Sequence, residues 1–101
     1  MTSLEELRTQ LSDVDDQITD LYEKRMKICE DLGTCKIKNG YKTFDRQREK
    51  NKIAEVMGKV SSDFNKKGIG EVYELLLAIS RKLQYKPVSY THLRAHETRR
   101  H

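Results

Sequence analysis

The most constraining feature of this 101-residue chain is a seam of apolar residues along its first third. Leu4, Leu7, Leu11, Val14, Ile18, Leu21, Ile28 and Leu32 recur at alternating spacings of three and four, with Arg25 in the one slot where an apolar residue is missing. That is the a/d pattern of a helix sustained over about four heptads. Ser3 with Glu6 three residues on forms a capping box, and Asn39-Gly40 supplies the stop. A helix from Leu4 to about Lys38 is roughly 50 Å long at 1.5 Å per residue. A compact body of about 86 residues has a radius of gyration near 12 Å. The helix overhangs its own domain, and its seam needs a second chain.

Two shorter helices complete the expected all-α fold. Asp45 can cap a second helix that carries Glu49, Ile53, Val56 and Val60 on one stripe, and Ser61-Ser62-Asp63 weakens its end. Asn65-Lys66-Lys67-Gly68 reads as a turn. A third helix is expected from Ile69 to about Tyr85, with Val72, Leu75, Leu76, Ile79 and Leu83 facing inward. Three helices per chain, joined by short connections, point to antiparallel neighbours and an intertwined homodimer.

Composition enters through the end of the chain. All of His92, His96 and His101 fall within VSYTHLRAHETRRH, which has no apolar periodicity. Val88 to Thr98 matches the translation of a sequencing-library adapter, and the preceding adapter bases complete Pro87. We therefore read 1–86 as the helical domain and 87–101 as a non-native-looking, disordered tail. The whole chain is +4, from 20 Lys plus Arg and 16 Asp plus Glu. Removing Arg94, Arg99, Arg100 and Glu97 leaves a body of 17 against 15, or +2, without histidine or proline. The basic balance then gives no reason to expect nucleic acid, and histidine chemistry is unavailable to the body. The longest apolar run, starting at Leu75, is far too short to span a membrane. Cys29 and Cys35 are too few for a disulfide scaffold or a four-ligand zinc site and read as packing or surface thiols. No secretory leader opens the chain, so a cytoplasmic setting is expected.

The informative residues are polar ones beside the seams. Arg25 occupies an a position, where a buried guanidinium costs several kcal/mol unless paired. It either sets register by pairing with a carboxylate such as Glu49 or serves a ligand. Arg8 and Lys36 share a flank of the first helix, being 28 residues, four heptads, apart. Taken singly, each reads as a solvated cation. Ser80 and Gln84, at i and i+4, share a stripe with Tyr73 and Leu77 on the third helix. Three cations, one inward carboxylate and two neutral hydrogen-bonding groups suit a small dianion that also carries a hydroxyl or ether oxygen. Nothing among them resembles an activated nucleophile, a metal site or a phosphate loop.

These residues carry a resemblance to the all-helical, AroQ-type chorismate mutases. LRTQLSDVDDQITDLYEKRMKICEDLGTCK resembles that family's first helix, with Arg8, Arg25, Gly33 and Lys36 at its spacing. DRQREK resembles the start of its second helix, with Asp45, Arg48 and Glu49, and SRKLQ supplies Ser80 and Gln84. The resemblance implies the cofactor-free, metal-free rearrangement of chorismate to prephenate in aromatic amino acid biosynthesis. It implies further that Arg25 and a partner chain's Arg8 hold the two carboxylates, with Ser80 assisting. Lys36 and Gln84 would serve the ether oxygen, Asp45 and Glu49 the ring hydroxyl, and Arg48 would add positive field. Spacing supports a shared site, because Arg8 and Arg25 lie about 25 Å apart along one helix. Rival readings are an isochorismate pyruvate lyase on the same fold and a non-catalytic helical dimerisation module.

Overall fold

The computed structural model describes residues 3–40 and 45–100, with side chains described as far as Gln84. It holds three helices, α1 (Leu4–Lys38), α2 (Arg46–Met57) and α3 (Asp63–Arg100), and no strand among the described residues. The first helix has the bounds that its seam predicts. Ser3 Oγ accepts from the Glu6 amide at 3.1 Å, Glu5 and Glu6 sit in the first turn, and Lys36 and Lys38 in the last. Those charges complement the helix dipole at both ends. Asn39 and Gly40 close the helix on the carbonyls of Cys35 and Ile37, with Gly40 at φ +75°, a conformation that favours glycine.

Asp45 caps α2 as expected, its Oδ1 accepting from the Arg48 amide at 3.1 Å. The helix stops at Met57 with Gly58 at its C-cap, short of Val60. The larger difference follows. Residues 65–68 are the first turns of α3, where the sequence predicts a turn. Ser62 explains it: its Oγ accepts from the Asn65 amide at 3.1 Å, so the Ser-Ser-Asp run starts the next helix. At the far end, the backbone of α3 runs on to Arg100. The side chains of the three tail histidines lie outside the described residues.

α3 is the spine of the domain. Both other helices pack on it, and among the described residues α1 and α2 do not pack on each other. Contacts between α1 and α3 ascend together (Arg25 with Ser80, Lys36 with Gln84), so these helices run in the same sense. α2 runs antiparallel to α3, with Glu49 opposite Arg81 and the Met57 carbonyl opposite Lys66.

The buried residues are few: Met26, Cys29 and Gly33 on α1, and Gly70, Leu77, Ser80 and Gln84 on α3. Val72 and Leu75, expected inside, are 51% and 63% exposed, so the inner face of α3 is centred on Leu77, Ser80 and Gln84 instead. The polar members of that stripe turn inward because α1 meets them with polar partners of its own. Every residue of α1 from Leu4 to Lys24 is exposed, including Leu4 at 62% and Ile18 at 58%. The radius of gyration is 17.7 Å, against about 13 Å for a compact chain of this length. All eight apolar residues of the seam that defines the sequence, Ile28 and Leu32 included, are thus left exposed by the chain's own packing.

Candidate active site

The polar cluster forms where α1 crosses α3. Arg25, Cys29, Leu32 and Lys36 lie on one face of α1, because eleven residues make close to three full turns. Leu77, Ser80 and Gln84 do the same on α3. Gly33 permits the close approach. A Cβ on it would stand 2.5 Å from Gln84 Cα and 2.6 Å from the Gln84 carbonyl oxygen, so only a residue without a side chain fits there. The first turn of α2 brings in Asp45, Arg48 and Glu49. Together they line an open cavity of about 310 Å³, with Ile28 and Lys52 also at its wall. That volume is at the lower end for small-molecule sites.

The polar contacts are cross-helix pairs. Arg25 Nη1 donates to Ser80 Oγ at 2.7 Å and lies 3.5 Å from Cys29 Sγ, while its guanidinium stands 5.8 Å from the Tyr73 ring centroid. Ser80 Oγ donates a hydrogen bond to the Leu76 carbonyl at 2.8 Å, which leaves its lone pairs facing Arg25. Lys36 Nζ donates to Gln84 Oε1 at 3.0 Å. With its oxygen so engaged, the Gln84 amide offers its Nε2 as a donor. Ser80 and Gln84 are 2% and 9% exposed, so both are committed to the cavity and not to solvent.

The charges are arranged for an anion. Arg25 does not pair with Glu49; Glu49 pairs with Arg81 across α2 and α3. Arg25 and Lys36 are met by neutral oxygens, Ser80 and Gln84, which orient a cation without cancelling it. Lys52 is different. It binds Glu55 at 3.1 Å, and hydrogen bonds from Lys52 and then Lys59 hold the Glu55 carboxyl below its ordinary range. Asp45 has one oxygen taken up by its capping bond.

Seven of the eight candidate residues, namely Arg25, Lys36, Asp45, Arg48, Glu49, Ser80 and Gln84, line this one cavity. Arg8 does not; it lies on the exposed half of α1, five turns from Arg25. Sequence reasoning missed Arg81 and the roles of Cys29 and Tyr73 around Arg25. Cys29 is buried against Ser80 Oγ at 3.4 Å, and Cys35 is exposed. The i+4 relation of Cys29 to Arg25 was the available signal. Among the described residues no group of His, Cys, Asp and Glu could hold a metal ion, and no helix is long and apolar enough to cross a membrane.

An all-helical cavity whose cations are met by neutral partners has the charge pattern that suits a small, multiply charged organic anion. Residues 7–85 match the family chorismate mutase type II, and the chain belongs to that family of isomerases. No individual curated protein matches the chain.

Proposed function

We propose that the chain catalyses the rearrangement of chorismate to prephenate, in a homodimer whose two cavities are each completed by the partner. The observation that carries the reading is the pair of uncancelled cations on one face of α1, Arg25 and Lys36, each steered by a buried neutral oxygen of α3. Chorismate carries two carboxylates, a ring hydroxyl and an ether oxygen. Its rearrangement is intramolecular: the ether carbon–oxygen bond breaks as a carbon–carbon bond forms, and no proton changes hands. The protein then has two tasks. One is to hold a compact conformer in which the reacting carbons approach each other. The other is to stabilise the negative charge that grows on the ether oxygen.

The residues divide between these tasks. Arg25, oriented by Ser80, binds one carboxylate, and the partner subunit's Arg8 binds the other. Lys36 and the Gln84 Nε2 donate to the ether oxygen. Asp45 and Glu49 accept from the ring hydroxyl, and Arg48 adds positive potential at the mouth. Support for the partner comes from the exposed seam of α1, whose leucines and isoleucines have nothing to pack on within the chain. A second copy of α1 would cover them and carry Arg8 towards the cavity.

The test is turnover by the purified protein, with chorismate and isochorismate offered separately and no nucleotide or metal added. Prephenate should form from chorismate, with little or no salicylate and pyruvate from isochorismate. Lyase activity in excess of mutase activity would overturn the assignment. Removing 87–101 should leave the mutase rate within about twofold, because every group assigned a role lies at or before Gln84.

A further inference from the structure

We infer that Arg81, on the α3 face beside Ser80, is a positioning residue that holds Glu49 and the first turn of α2 over the cavity. The inference rests on the proposed mutase function and assigns a determinant of substrate affinity outside the groups that touch substrate. α2 is only twelve residues long, has no buried residue and packs on α3 alone among the described residues. Its C-terminal end is fixed by packing: Met57 fills the space over Gly70, with its sulfur 3.2 Å from where a Gly70 Cβ would be. Lys66 adds a hydrogen bond to the Met57 carbonyl at 3.3 Å. The N-terminal end, which carries Asp45, Arg48 and Glu49, is tied to α3 by the ion pair between Glu49 and Arg81.

This pair does two things for an anion site. It fixes one Glu49 oxygen, so that the other is aimed at a hydroxyl donor in the cavity. It also offsets the Glu49 charge, which would otherwise oppose a dianionic substrate beside Arg25 and Lys36. The Glu49 side chain is 22% exposed and that of Arg81 35%, so the pair is partly shielded from water and its coupling is not fully screened. Loss of Arg81 therefore acts mainly on binding. A carboxylate set free in the cavity repels the substrate before any bond changes.

A double-mutant cycle on the full chain tests it, read as kcat and KM for chorismate. Arg81→Met should raise KM by about tenfold and lower kcat by less than about threefold. Arg81→Lys, which keeps the charge, should recover most of the loss. In a Glu49→Gln background, Arg81→Met should change kcat/KM by less than about twofold, since its target is gone. Arg81→Gln gives the same cycle should the Met variant fail to fold. Effects that multiply across the cycle, or an unchanged KM in the single variant, would overturn the inference. If the parent turns over no chorismate, the functional proposal falls and takes this inference with it; multiplied effects in an active parent overturn the role of Arg81 alone.

Discussion

Replacing Lys36 with alanine should lower kcat/KM for chorismate by about three orders of magnitude or more. On the proposed mechanism its ammonium is the full positive charge nearest the ether oxygen, where negative charge develops as the bond breaks. Removing a single neutral donor from a comparable oxyanion site costs about a hundred- to a thousandfold. Lys36 is half-buried and fixed by Gln84 at 3.0 Å, so little reorganisation is needed when the charge appears. The loss should fall chiefly on kcat, because the interaction strengthens as the reaction proceeds. Steady-state kinetics on a folded Lys36→Ala protein decide it. A loss below about tenfold would reduce Lys36 to a surface cation.

Gly33→Ala should give the next largest loss, without touching a charge. The added methyl meets backbone, at 2.5, 2.6 and 2.9 Å from the Cα, O and C of Gln84. Backbone cannot swing aside as a side-chain tip can, so α1 and α3 must separate. Overpacking of this kind costs about 1–3 kcal/mol of stability. The functional loss should be larger than that figure implies, since the crossing also sets the Lys36–Gln84 and Arg25–Ser80 pairs. Displacing such groups by about an ångström costs on the order of a hundredfold in rate. Circular dichroism should show a helical protein with a lowered Tm, and kcat/KM should fall by about a hundredfold. Parental activity would show that the crossing does not set the site.

How much of this was legible beforehand depends on the range of the interaction. The first helix is readable from Leu4 to about Lys38, because its seam, its Ser3 cap and its Asn39-Gly40 stop are all local signals. The cavity residues were legible as types in a pattern, above all Arg25 breaking an apolar seam. What stayed hidden was pairing. The sequence leaves Arg25 either to a carboxylate such as Glu49 or to a ligand, and only the crossing at Gly33 brings Ser80 to it and leaves Glu49 to Arg81. The start of α3 was misread because Ser62 and the run Asn65 to Gly68 have turn composition, whereas the cap and the packing of Gly70 on Met57 favour helix there. Only periodicity puts Val72 and Leu75 inside, and both are exposed. A helix with apolar residues on more than one face does not declare which face its own chain will cover.

On the proposed function each site is built from two chains, and a mixing experiment decides whether it is. Arg8→Ala and Arg25→Ala should each be nearly inactive as homodimers. Mixed in equal amounts, unfolded and refolded together, they should give about half heterodimers by random two-fold pairing. If Arg8 of one chain serves the cavity holding Arg25 of the other, one site of each heterodimer carries both lesions and the other carries none. The mixture should then recover about a quarter of the parental activity, because half the dimers hold one intact site of two. Size-exclusion chromatography with differently tagged chains verifies that heterodimers have formed. If heterodimers form and no activity returns, both arginines belong to one chain's site, and the shared-site account is wrong.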